Sequence, residues 1–176
     1  MEKIESIENV LLNMDKKIVY QTKSSFIPAI LFFVAAIVVF IINAVFEWQP
    51  TSIYPHLFLM VGSISFILGL IRAFFRKTFF VSAANHQRLI NHEIYFDVNE
   101  QDKLVRLINA KNIADIKMLK GSPNSGLKLR FMSTKDGKLC FSQVLAYVPF
   151  EFHGTNEVIQ HSQAEAQALI DLNKGR

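Results

Sequence analysis

The sequence predicts an α+β membrane protein: a two-helix transmembrane hairpin, then a small antiparallel β-sandwich or barrel capped by a C-terminal helix. Three observations carry this. Two neighbouring runs, Ser24 to Phe46 and Trp48 to Ile71, contain no charged residue. A helix of about 20 residues at about 1.5 Å rise crosses a hydrocarbon core of about 30 Å, so each run is long enough to span. Beyond Arg76 the apolar residues mostly recur every second position, and near the end of the chain they recur every third or fourth, as in a helix.

The segment 1–25 reads as a cytoplasmic lead-in. Ile4, Ile7, Leu11, Met14 and Ile18 stand three and four apart among charges, which gives a short helix one apolar face for an interface, a partner or the protein's own tail. Ile18, Val19 and Tyr20 then favour extended chain. Glu2, Glu5, Glu8 and Asp15 offset four lysines here, and the apolar run that follows is long. A cleaved leader is therefore not expected.

The hairpin occupies residues 26–75. Its first span, Phe26 to Phe46, has Pro28 in the opening turn, where a missing N–H costs little, and Asn43 near the far end. Glu47 to His56 reads as a tight link with Pro50 and Pro55, and Trp48 and Tyr54 suit the headgroup layer. The second span runs from about Leu57 to Phe75. In it Ser65 and Gly69 have small-xxx-small spacing, which admits close approach by the first span or by another copy. Lys16, Lys17 and Lys23 precede the spans and Arg72, Arg76 and Lys77 follow them, whereas the link has neither Lys nor Arg. The positive-inside rule then puts both termini in the cytoplasm, with Arg72, Arg76 and Lys77 at the membrane interface.

The tail, 76–176, is expected to fold as one small domain. Candidate strands are Thr78 to Val81, Leu89 to Val98, 104–109, Ile113 to Leu119, Leu127 to Phe131 and Leu139 to Tyr147. In the fifth, Lys128 and Arg130 alternate with Leu127, Leu129 and Phe131, so one face is basic and outward. Asp136-Gly137 marks a hairpin turn. Thr155 is placed as the N-cap of a last helix that continues through about Asn173. Cys140 is the single cysteine and reads as a small buried side chain.

Three phrases bring a family to mind: Asp15-Lys16-Lys17-Ile18-Val19-Tyr20-Gln21-Thr22-Lys23-Ser24 before the hairpin, Asn85-His86-Gln87-Arg88-Leu89-Ile90 after the first tail strand, and Ile113-Ala114-Asp115-Ile116-Lys117 ahead of Gly126 to Leu129. In this order they resemble the bacterial pleckstrin-homology-like (bPH) membrane proteins. The resemblance implies about seven antiparallel strands in two near-orthogonal sheets, closed at one end by the C-terminal helix. The six candidate strands fall one short.

Little here points to catalysis. The five histidines show no zinc spacing with one another or with Cys140, and Asp97, Asn99 and Asp102 lack the glycine and terminal acid of a calcium loop. No phosphate-binding glycine loop or nucleophile elbow is present. No cofactor is expected. Charge is the remaining signal: 76–131 carries ten Lys or Arg against five Asp or Glu, and 132–176 carries four against five. Arg88, Lys103, Arg106, Lys128 and Arg130, together with Lys111, Lys117 and Lys120, are candidates for a face towards anionic lipid or an acidic partner. Basic and aromatic residues are not interleaved as nucleic-acid binding would require. The expectation is a non-enzymatic protein of the inner (cytoplasmic) membrane that binds another protein or itself. The alternatives are an anionic-lipid-responsive module or an accessory, immunity-type subunit of a larger complex.

Overall fold

The computed structural model describes residues 4–123 and 125–175. It divides into two compact units: Lys23–Thr78, and the segment up to Thr22 together with that from Phe79 onward.

In the first unit, α2 (Ile27–Val45) and α3 (Tyr54–Phe74) pack against each other along their length. Proline sits in the first turn of each, where no intrahelical N–H bond is lost. That is why α3 begins at Tyr54: Tyr54, Pro55 and His56, expected in the link, are already helical. The seam repeats in sevens. Ala29 and Ala36 are buried on α2, and Gly62 and Gly69 on α3. The Phe40 ring lies over Gly62 and the Phe33 ring over Gly69. A Cβ at Gly69 would stand 2.8 Å from Phe33 Cε1, closer than atoms can pack.

The second unit opens with α1 (Ile7–Asn13), whose Ser6 cap accepts a hydrogen bond from Asn9 N–H. The next element is β1 (Val19–Lys23), which pairs with β2 (Thr78–Ser82) in a two-stranded sheet. A five-stranded antiparallel sheet follows, built from β3 (Ile90–Phe96), β4 (Leu127–Ser133), β5 (Cys140–Val148), β6 (Glu151–Gly154) and β7 (Ile159–His161). The neighbours run β3-β4-β5-β6, and β7 joins the other part of β5. The β4–β5 hairpin turns at Gly137, whose φ of +70° explains the Asp-Gly pair read from the sequence.

Between β3 and β4 the expected strands are helices. Residues 104–109 lie in α4 (Gln101–Asn109), and 113–119 begins with the short α5 (Ile113–Ile116). Alternating Leu104, Arg106 and Ile108 fits a strand, but Leu104 and Ile108 are also four apart and share one buried helical stripe. The Asp97 side chain accepts from Asn99 N–H and caps the turn that starts this segment. At the C-terminus, α6 (Gln163–Lys174) is capped by Ser162, which forms a reciprocal capping box with Glu165. Thr155 instead hydrogen-bonds Val144 in the loop before β7, because β6 and β7 occupy the stretch assigned to a longer helix and its approach.

Both faces of the five-stranded sheet are covered. On one side Phe96, Leu127, Leu129, Phe131 and Val144 pack against α4, α5 and α6 through Leu104, Ile108, Ile116 and Leu169. On the other, Met132, Leu139 and Phe141 join Ile7 and Leu11 of α1, Val19 of β1 and Phe80 of β2. The apolar stripe of the lead-in helix is thus spent on the protein's own sheet.

Candidate functional site

Polar groups sit at the two ends of the helical pair. At the link, Trp48 Nε1–H donates to the Asn43 carbonyl at 3.1 Å, and its ring lies 5.4 Å from Phe46 and Phe58 and 5.8 Å from Tyr54. At the opposite end, Arg76 Nε–H donates to the Ser24 carbonyl at 2.8 Å and its guanidinium lies over the Phe26 ring. The Lys77 carbonyl accepts from Ser24 N–H, and Arg72 occupies the last turn of α3, where a cation complements the helix dipole. So Trp48 and Tyr54 are grouped at one end and Arg72, Arg76 and Lys77 at the other. Of the proposed packing pair, Gly69 is buried under Phe33 and Ser65 is half-buried; Gly62, seven residues before Gly69, makes the second close contact.

Between those ends the pair is apolar and uncovered. Both helices are long and apolar enough to cross a membrane, and only 11% of each apolar window is buried. Ile27, Leu31, Ile37, Ile41, Met60, Ile64 and Ile67 are among the large side chains left about half exposed or more.

In the β unit the basic residues do not form one face. Arg88 is exposed and stacks over Phe79 at 4.5 Å. Lys103 and Arg106 stand on the exposed side of α4, beyond one face of the sheet. Lys128 and Arg130 lie on the opposite face, beneath α1, so the outward basic face expected of β4 is covered. Lys128, only 9% exposed, pairs with Glu93 at 3.0 Å and sits 4.1 Å from the Phe152 ring centroid. Arg130 pairs with Glu8 and accepts company from Asn91, whose Oδ1 takes its Nε–H at 2.7 Å. Burial pushes the Glu93 carboxyl up, but hydrogen bonds from Lys128 and Tyr95 and the charges of Lys128 and Arg130 outweigh it and hold the group low. The cleft beside this network, 580 Å³ and lined by α1, β4 and β6, therefore carries cations already matched by the protein's own acids.

One chemical constellation escaped the sequence. Ser142 Oγ is 2.6 Å from His161 Nε2, and His161 Nδ1 is 3.4 Å from Glu165 Oε2. The order of groups is that of a nucleophile, a base and an orienting acid. Ser142 and His161 are 0% and 3% exposed, however, so no substrate reaches the hydroxyl. Burial lowers the His161 pKa, and Lys111 adds to this while Glu165 opposes it. The imidazole ties β5 to β7 through Ser142, and its Nδ1 faces Glu165 of α6. Only the Ser162–Glu165 spacing hinted at this corner, since the Ser142–His161 contact depends on β5 pairing with β7. Cys140 is buried here too, and burial followed by the Glu165 charge raises its thiol pKa to about 12.

Among the described residues no group of three or more His, Cys, Asp or Glu is placed to hold a metal ion. Asp97, read against a calcium loop, instead pairs with Lys120 at 3.2 Å and caps its turn. No family model, curated protein or solved structure matches the chain.

Proposed function

We propose that the chain is a membrane-anchored, non-enzymatic module: α2 and α3 cross the inner membrane of a bacterium, both termini face the cytoplasm, and the β unit binds a protein partner or another copy there. The uncovered apolar surface of the helical pair carries the reading. About twenty large side chains each lose about half of the 1.5–3 kcal/mol that full burial gives, which sums to about 15–30 kcal/mol. A domain's whole stability is about 5–15 kcal/mol, so this surface needs an apolar phase. A core helix of a soluble protein would have it buried. The aromatic end and the basic end match the two headgroup layers, the basic one on the cytoplasmic side.

Kinship with the bPH domains belongs to the same reading. It is supported by seven strands among the described residues, five of them in one antiparallel sheet, and by the closing helix, while α4 and α5 are an addition between β3 and β4. Binding of protein is favoured over sensing of anionic lipid because Lys128 and Arg130 are already neutralised by Glu93 and Glu8. The test is detergent extraction of the full chain, followed by cross-linking and mass measurement. An integral protein that oligomerises or carries a partner is expected; a monodisperse monomer without a partner sinks the binding claim. Extraction into buffer without detergent sinks the anchor. Protease added outside intact cells is expected to spare the β unit, and its digestion there would refute the orientation.

A further inference from the structure

The hairpin joining β5 to β6 ends in an apolar tip. Val148 pairs with Glu151, so Pro149 and Phe150 form a two-residue turn. Phe150 has φ +81° and is 96% exposed. A positive φ in such a turn belongs to glycine or asparagine, and a bulky side chain there is strained. The backbone is therefore bent at a cost in order to hold a large apolar ring in solvent. The Tyr147 hydroxyl accepts from Phe150 N–H at 3.3 Å, which braces the turn, and its ring packs edge-on against Phe152 at 5.4 Å. Tyr147 and Val148 are 54% and 47% exposed, and no charge occurs from Val144 to Phe150.

We infer that the Tyr147–Phe150 tip seats in the headgroup and upper acyl layer of the membrane that α2 and α3 cross, giving the β unit a second, shallow lipid contact. The inference rests on the proposed anchoring of the helical pair. The tip protrudes beyond the last β5–β6 pair and carries no charge, and a fluid apolar phase closes around a protruding ring. Tyrosine with one wet end and one apolar end suits that layer. Glu151, paired with His153 at 3.0 Å and well exposed, follows directly and limits insertion to the ring and its neighbours. A tethered domain needs little intrinsic affinity, because the anchor makes the second contact intramolecular.

The test uses the full chain in phosphatidylcholine nanodiscs, with and without brominated acyl chains. Phe150→Cys carries an environment-sensitive NBD label, and Met118→Cys, at another site that is 81% exposed, carries the same label as control. Buried Cys140 stays unlabelled in the folded chain. Trp48, the one tryptophan, reports separately on the helical pair. Expected are a blue-shifted emission at 150 that brominated lipid quenches, aqueous emission at 118, and quenching of Trp48. Aqueous, unquenched emission at 150 with Trp48 quenched overturns the tip contact and leaves the anchor standing. A blue shift at 150 that grows with protein concentration and ignores bromine assigns the tip to a second copy and overturns it too. Trp48 unquenched overturns the anchor, and the tip contact with it.

Discussion

Replacing Glu93 by glutamine should cost more than replacing Lys128 by methionine. Both residues belong to one ion pair, Lys128 Nζ to Glu93 Oε1 at 3.0 Å, with side chains 11% and 28% exposed. Glu93→Gln removes the negative charge and leaves an ammonium among the Tyr95 and Phe152 rings. Stranding one partner of a fully buried pair costs about 3–5 kcal/mol. Because Glu93 keeps some water, and the rings still attract the cation, about 1–2 kcal/mol is the appropriate figure here. Lys128→Met removes the more deeply buried charge and keeps the apolar stem, while Glu93 retains water, the Tyr95 hydroxyl and Arg130 at 3.9 Å, so the change should be near neutral, within about 1 kcal/mol. Cys140 supplies the assay. It is fully buried with its thiol raised to about 12, so alkylation in the full chain requires the β unit to open. A loss of about 1–2 kcal/mol makes opening roughly 5–30 times more frequent, and the labelling rate of Glu93→Gln should rise by that factor. Equal labelling in Glu93→Gln and wild type would refute the claim that Glu93 neutralises a desolvated cation. Faster labelling in Lys128→Met than in Glu93→Gln would show that the cation itself holds the face together.

Three further outcomes are expected. Gly69→Leu must push the Phe33 ring off the α2–α3 seam, at about 1–3 kcal/mol for overpacking, and should lower the denaturant midpoint of Trp48 fluorescence in mixed micelles; an unchanged midpoint would show that the helices do not pack there. Phe150→Gly exchanges about 1–2 kcal/mol of left-handed strain for about 0.5–1 kcal/mol of chain entropy, so in detergent the β unit should open no more readily than wild type; markedly faster Cys140 labelling would mean the ring has a covering contact. Acid should weaken the β unit in two stages, because His161 is held below 6.5 by burial, so its contribution is complete above 6.5 and is lost as pH falls through the lowered folded value, while Glu93 and Glu165, held below 4.5, lose theirs only below that. In urea titrations His161→Gln should flatten the first stage, leaving the part due to His92, whose pKa burial also lowers, and an unaltered slope would exclude His161 as a source.

Local chemistry decided what could be read along the chain. The uncharged runs, the prolines in the first helical turns, Asp136-Gly137 and the alternation in β4 each act within a few residues, and the corresponding elements stand where the sequence placed them. The same reading took α4 for a strand, because Leu104 and Ile108 satisfy both periods over so short a span and only burial against the sheet selects the helical one. Thr155 and Ser162 are both able caps, and the pairing of Ile159–His161 with β5 settled the choice in favour of Ser162. Whether Lys128 and Arg130 faced water depended on α1, more than a hundred residues away in the chain, returning to cover them and bringing Glu8 with it. Ser142 and His161 meet for the same reason. A side chain's charge and shape are written in its own position, but its exposure, and so the work its charge can do, is set by distant segments folding over it.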